Sequence, residues 1–407
     1  MPRKALALAI TVGLGWAGFS AAAAAATTPS AAPPAATAPA TTAAELAQLK
    51  AQLAALQAKV AELEQRTDAQ SDINIGTQQN LQALQSPAKP ADADAASTKV
   101  GGNAFIDFTH IDQTRGGSKT AASGNGLDVK RFYLSIDHTF NDIWSANLTT
   151  DFNYVSADGE TQLFVKKAYL QGTFDKLATL RVGSAGMPWI GFVEDWYGYR
   201  FVEPTLVDRN KFGNSADWGL HLLGDNGVFD YQASVVNGAG YKNPTRSNAV
   251  DVEARAGFQP FKGMVVAVGG YRGDLGKDTA TAPALRDAHR YDAMLAYNAN
   301  GLRLGAEYFK ATNWNNVATP LADAANGASV WGSYDFGAAA LFARYDRLKP
   351  SRDLDPGLTD TYWNLGVAFP LIQGVRVAVA YKYELLNNGS GADLKTRELG
   401  AWGELKF

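Results

Sequence analysis

From residue 100 onward the chain alternates apolar and polar residues one for one, in runs of about ten. Trp144, Ala146, Leu148, Thr150, Phe152 and Tyr154 fall in one phase, and Ser145, Asn147, Thr149, Asp151 and Asn153 in the other. Val250, Val252, Ala254, Ala256 and Phe258 likewise alternate with Asp251, Glu253, Arg255, Gly257 and Gln259. Successive side chains of a strand point to opposite faces, so each run has one apolar face ending in aromatics and one charged face. Strands of roughly 9–11 residues with that split suit lipid on one side and water on the other. A soluble sandwich also alternates, but its strands are shorter, about 5–6 residues, and its aromatics need no placement at strand ends.

Sixteen such runs are found between residues 100 and 407, an even number, as a closed single-chain barrel needs. The run over 263–273 is apolar in both phases. Links after the even-numbered runs are short, for example Asn141-Asp142, Asp175-Lys176 and Asn300. Links after the odd-numbered runs are mostly long, for example 112–125, 186–213 and 274–287. The fold class expected is therefore all-β, a 16-stranded antiparallel transmembrane β-barrel. Short periplasmic turns alternate with long outer loops, and both barrel ends are periplasmic. The chain ends in Phe407, with Leu405, Gly403, Ala401 and Leu399 in phase behind it. Such an ending resembles the assembly signal of Gram-negative outer-membrane barrels.

The first 99 residues read differently. Residues 1–26 have a basic start (Arg3, Lys4), an apolar stretch and an alanine run, the pattern of a cleaved secretory signal. Residues 27–44 are a Pro/Ala/Thr linker. In residues 45–85, Leu46, Leu49, Leu53, Leu56, Val60 and Leu63 keep a 3,4 spacing, with Glu45/Lys50 and Lys59/Glu64 at flanking positions. This is a short α-helical coiled-coil seam in the periplasm and implies self-association. The alternative is one amphipathic helix lying on the barrel. Residues 86–99 are a second linker before the barrel of residues 100–407.

Composition narrows the function. There is no cysteine, which excludes disulfide scaffolds and thiolate metal sites. The barrel segment holds 30 Lys+Arg against 33 Asp+Glu, seven of each sign preceding it, so no basic face for nucleic acid is expected. The four histidines His110, His138, His221 and His289 form no catalytic or metal pattern. Asp353-Leu354-Asp355-Pro356-Gly357 only faintly resembles a calcium loop, and no cofactor, metal or catalytic residue is expected. A plugged barrel anchoring membrane to cell wall is the structural alternative.

Sixteen strands enclose more space than side chains fill, so a water-filled lumen is expected. Selectivity then depends on lumen charges and on any loop folded inside. The longest link, 186–213, is rich in aromatics and charges, and is expected to enter the barrel and set the constriction through Trp189, Glu194, Asp195, Trp196, Tyr199 and Glu203. An outer cap or a subunit contact is the alternative. Phase places Arg131, Lys167, Arg181, Arg255, Arg344 and Arg376 on the lumen wall, and Arg200 and Arg209 lie in the loop. These eight are the candidate pore-lining, anion-binding residues, because guanidinium and ammonium groups in a narrow pore attract anions. Lumen carboxylates such as Asp151, Glu253, Asp292 and Asp346 are as many, so a charge network bracing the wall is the competing reading.

The segments Leu163–Leu170 (LFVKKAYL), Leu180-Arg181-Val182-Gly183, Met187-Pro188-Trp189 and Tyr199-Arg200-Phe201-Val202-Glu203 resemble the phosphate/polyphosphate-selective porin family. The resemblance spans roughly 100–407. It implies a trimeric sixteen-stranded outer-membrane pore for small anions such as phosphate, with Lys167, Arg181 and Arg200 lining it. A periplasmic coiled coil before a porin barrel also resembles sugar-specific porins, which leaves a sugar-type or general porin as the alternative. The partners implied are outer-membrane lipid, small solutes and two further copies of the chain.

Overall fold

The computed structural model describes residues 96–155, 160–389 and 391–407. The signal, linkers and coiled coil expected before residue 96 lie outside the described residues. The sixteen strands are β1 (Ser97–Arg115), β2 (Gly124–Thr139), β3 (Trp144–Val155), β4 (Glu160–Asp175), β5 (Ala178–Gly186), β6 (Ala216–Asp225), β7 (Phe229–Val236) and β8 (Asp251–Phe258), then β9 (Met264–Gly273), β10 (Ala288–Ala299), β11 (Leu302–Thr312), β12 (Ala324–Asp335), β13 (Ala340–Lys349), β14 (Leu358–Ile372), β15 (Val375–Asn388) and β16 (Leu394–Lys406). Each pairs antiparallel with its neighbours in sequence. The barrel closes where β1 meets β16, from Asn103 opposite Lys406 to Arg115 opposite Leu394. A two-residue strand, Ser118–Lys119, curls back on β1 in the first outer loop.

Closure removes every sheet edge, so all backbone groups in the lipid zone are satisfied within the wall. No described helix is long and apolar enough to cross a membrane; the strands do the crossing. Leu127, Leu148, Leu163, Val182, Val268, Val330 and Leu365 are exposed on the outer surface, while their strand neighbours Asp151, Arg181, Ser329 and Asn364 are buried inside. Phe407 exchanges both backbone hydrogen bonds with Gly102, at 2.9 and 3.1 Å, and so extends the closing seam.

Besides register shifts beside two hairpin turns, at Thr173/Asp175 and Pro370/Ile372, two irregularities lie within the strands and break the alternation. The register of β1 with β2 shifts between Phe105 and Ile106, and that of β3 with β4 between Thr149 and Thr150. Each leaves one extra residue on the bulged strand, Lys130 on β2 and Lys166 on β4. Consecutive residues Lys130-Arg131 and Lys166-Lys167 therefore reach the same, inner side.

The third difference lies inside. A core of apolar residues fills part of the lumen where the inner wall of β9 to β13 is small or apolar: Val265, Ala267, Ala296, Ala311, Phe309 and Phe342. The two-sided apolar character of the 263–273 run follows, because one face of β9 meets lipid and the other meets this core.

Candidate functional site

The core is made by the segment between β5 and β6, which enters the barrel and turns twice into helix, α1 (Ile190–Tyr197) and α2 (Leu206–Arg209). Ile190, Val193, Trp196 and Tyr197 form the apolar side of α1, which lies on β10 and β11. Gly198 ends this helix at φ 77 and donates its N–H to the Glu194 carbonyl. A Cβ at Gly198 would stand 2.4 Å from the Arg303 guanidinium, which donates to the Asp195 and Trp196 carbonyls at 2.9 and 2.8 Å. A cation on these last carbonyls also meets the negative end of the helix dipole.

The same device recurs along the wall. Arg255 donates to the Pro188 carbonyl at 2.9 Å, Arg290 to Phe212 at 2.5 Å, Arg344 to Pro204 at 2.6 Å and Arg376 to Gly198 at 2.8 Å. From the opposite side Lys130 donates to the Val202 carbonyl at 3.1 Å. Lys382 reaches the Glu203 carboxylate at 2.9 Å. Trp189 donates its backbone N–H to Glu253 at 3.0 Å and its indole N–H to Glu307 at 2.8 Å, while its ring covers Gly269. Tyr199 stacks on Phe342 with centroids 4.3 Å apart. The loop is thus bound by its backbone as well as its aromatics.

These wall cations are mostly matched by carboxylates. Arg131 pairs with Asp151 at 2.8 Å, Arg255 with Asp230, Arg344 with Asp346 at 2.6 Å and Arg376 with Glu404 at 2.8 Å. Arg290, wholly buried, lies between Asp292 at 2.9 Å and Glu253 at 3.1 Å. The loop's own Arg209 reaches Glu384 at 2.5 Å and Asp360 at 2.8 Å, and Arg200 pairs with Glu194 and, at 3.4 Å, with Asp208. Arg131, Arg200, Arg209, Arg255, Arg344 and Arg376 among the eight candidates thus hold a carboxylate partner.

Lys167 and Arg181 do not. Among the described residues neither forms an ion pair, and Lys167 forms no hydrogen bond either. Arg181 donates to the neutral Gln171 at 2.8 Å and lies 5.0 Å from the Tyr169 ring centre. The bulge adds Lys166, which donates to the Tyr133 hydroxyl at 3.3 Å and has no carboxylate partner among the described residues. Phase alone misses it, since two consecutive lysines do not say which of them faces inward until the register with β3 is known. Gly183, at φ 127, lets β5 approach the Ala168 carbonyl so closely that a Cβ would lie 2.2 Å from it, which accounts for the glycine two residues after Arg181.

Opposite these cations stands the polar side of α1. Asp195 meets lumen water, yet so much protein surrounds it that its carboxyl is pushed up to about 6, with Lys167 the strongest of the cations pulling it back. Burial also raises Glu194, against the attraction of Arg200. Glu203 goes the other way: burial opposes its ionisation, but Lys382, Lys130 and Arg209 together hold it down to about 2. One wall therefore presents unmatched positive charge to a loop whose facing carboxylates are weakly acidic. Among the described residues no group of three side chains suited to a metal forms.

A closed sixteen-stranded barrel narrowed by an inserted loop defines a β-barrel channel of the outer membrane. Residues 81–401 match the family described as Gram-negative porin, and the chain belongs to that family. Solved structures share the fold at low identity. An anion-selective porin from Comamonas acidovorans superposes with a TM-score of 0.56 at 12% identity, covering 77% of this chain and 100% of that one. Salmonella typhi OmpF in complex with daunomycin gives 0.55 at 13%, covering 77% and 98%. A loop L8 deletion mutant of OmpT from Vibrio cholerae gives 0.52 at 16%, covering 78% and 100%. No curated protein matches the sequence.

Proposed function

We propose that this porin is a passive channel preferring small anions, phosphate among them, and that Lys166, Lys167 and Arg181 carry the preference. The single observation behind this reading is the missing carboxylates. A cation paired at 2.6–2.8 Å, as Arg344, Arg376 and Arg131 are, projects little field beyond its partner. Three neighbouring cations without such partners leave more of their field in the lumen, offset only in part by Asp195 on α1. Arg200, Arg209, Arg255, Arg344 and Arg376 then brace the loop and wall rather than bind solute.

A sugar-type pore needs aromatic faces open to the lumen. Trp189, Trp196, Tyr197, Tyr199 and Phe201 are all buried against the wall, which favours the anion reading over that alternative. The same reading has residues 1–26 removed on export, residues 45–85 associating as a periplasmic coiled coil, and the chain working as a homotrimer.

The test is the reversal potential of single channels in a planar bilayer across a KCl gradient. Anion preference is expected, together with a current reduced by millimolar phosphate. A cation-selective pore indifferent to phosphate overturns the proposal; a silent bilayer supports a plugged anchor instead.

A further inference from the structure

The inward arginines of the wall are held in two ways. Arg131, Arg255, Arg290, Arg303, Arg344 and Arg376 each engage a terminal guanidinium nitrogen, on a carboxylate or a loop carbonyl. Arg181 on β5 does not. Its Nε–H donates to the Gln171 side-chain oxygen on β4 at 2.8 Å, while its terminal nitrogens bond to nothing described and are not shut off from the lumen. A guanidinium held at Nε alone keeps the far edge of its fork, a parallel pair of N–H donors, for two oxygens on one centre.

Register explains why the fork stays free. Directly opposite Arg181 are Gln171 and His221, and diagonal to it Tyr169, Thr173, Gly219 and Leu223. None is acidic. Arg255 shows the contrast: it too faces a glutamine, Gln232, but Asp230 on the same strand as that glutamine takes its charge. His221 is joined through Nδ1 to the Ser234 hydroxyl on β7 at 2.9 Å. Gln171 is buried, and its amide is oriented from behind: Nε2 donates to the Thr173 hydroxyl at 3.1 Å, which leaves the oxygen for Arg181. The Tyr169 ring centre lies 5.0 Å from the guanidinium carbon, and Gly183 directly opposite Tyr169 has no side chain to displace the ring.

We propose that Gln171 is the positioning residue of an oxyanion subsite on Arg181, one that favours carboxylates and phosphates over halides. The proposal rests on the anion reading of the pore. Two properties of the amide matter. Its oxygen fixes Nε, so the fork does not swing to the wall, and its neutrality adds no charge that cancels the guanidinium. A carboxylate at this position would hold the arginine equally well and neutralise it, as Asp346 does with Arg344 at 2.6 Å. An apolar side chain would leave the charge but release the fork. A halide is a single sphere and makes no use of parallel donors, whereas two oxygens on one carbon or phosphorus match them.

The test uses the purified full-length protein in planar bilayers and reads two quantities: the chloride-to-potassium permeability ratio in a KCl gradient, and the block of current by added anions at constant KCl. In the unaltered channel phosphate and acetate are expected to reduce the current and bromide is not. Q171E keeps the hold and cancels the charge, so the permeability ratio is expected to fall about fivefold or more, and phosphate block with it. Q171M, close to glutamine in length, keeps the charge and releases the fork. Its ratio is expected to change less than about twofold while the half-blocking phosphate concentration rises about threefold or more. A purely structural role would move both readouts together. Should Q171M not assemble, T173V, which removes the acceptor that orients the amide, carries the same split. Cation selectivity of the unaltered channel would sink the anion reading alone, since both variants are measured against the unaltered protein whatever its sign. An unchanged ratio in Q171E, an unchanged phosphate block in Q171M, or equal block by bromide overturns the proposal.

Discussion

On β8 to β15 every inward basic side chain ends on a carboxylate or a loop carbonyl. On β4 and β5, Lys166, Lys167 and Arg181 end on a phenol, on nothing described, and on an amide. The residue types are the same and the lumen is shared. What differs is the partner, and the partner decides whether a cation braces the wall or acts on solute. The braced side must hold the insertion between β5 and β6 against the open water of the pore. It does so with charges because loop carbonyls, once inside, need donors. The unbraced side has no insertion to hold, so its charges remain available.

The largest expected effect breaks the braced side. Arg290→Met removes a buried cation from between Asp292 and Glu253 and withdraws the donor from the Phe212 carbonyl. Uncompensated buried charge costs about 3–5 kcal/mol. Urea unfolding of the detergent-solubilised barrel is expected to show a loss of that order, with noisier channels as the loop loosens. Next comes Trp189→Phe, which keeps most of the ring over Gly269 but leaves Glu307 without its indole donor. A loss of about 1–3 kcal/mol is expected in the same assay. A stability unchanged by either substitution would show that the loop is held by its aromatics alone.

How much of this contrast is legible in the chain follows from what register does. Alternation and turn lengths are local, so sixteen strands, their inward phase and the loop that enters are readable from the chain. Pairs two residues apart on one strand are readable too: Arg290 with Asp292 and Arg344 with Asp346 share a face by necessity. Arg131 with Asp151 and Arg255 with Asp230 are separated by 20 and 25 residues, and only the cross-strand register brings them together. Without that register, braced and unbraced arginines look identical. The bulges at Lys130 and Lys166 are hidden for the same reason, since the extra residue is defined by the partner strand. The helices of the loop are not legible because α1 is only eight residues long, too short for its apolar spacing to stand out among so many aromatics.

Selectivity sharpens the comparison with smaller energies. Arg181→Gln removes a charge that no carboxylate neutralises. At a water-like dielectric a unit charge about 4 Å from a passing ion is worth about 1 kcal/mol, so chloride permeability is expected to fall roughly fivefold and the chloride-to-potassium ratio by at least that. Arg376→Gln is the matched change on the braced side. Glu404 keeps Lys406 at 3.2 Å, so the local charge stays balanced and the ratio is expected to change less than about twofold. Equal effects of the two substitutions would remove pairing as the deciding variable.

The smallest effect comes from pH and concerns the loop that faces the unbraced cations. Asp195 is ionised above about 6 and neutral below it, because its surroundings disfavour the charged form. While ionised it offsets part of the field of Lys167, the cation that acts on it most. Lowering the pH from about 7 to about 5 protonates Asp195 and leaves the wall cations charged, so anion preference is expected to rise as pH falls. Glu203, held near 2 by its three cations, stays ionised over this range and contributes no change. The rise should vanish in Asp195→Asn, which fixes the neutral form, and survive in Glu203→Gln. A pH profile unaltered by Asp195→Asn would assign the titration to Glu194, the other α1 carboxyl raised by burial, and Glu194→Gln would then abolish it.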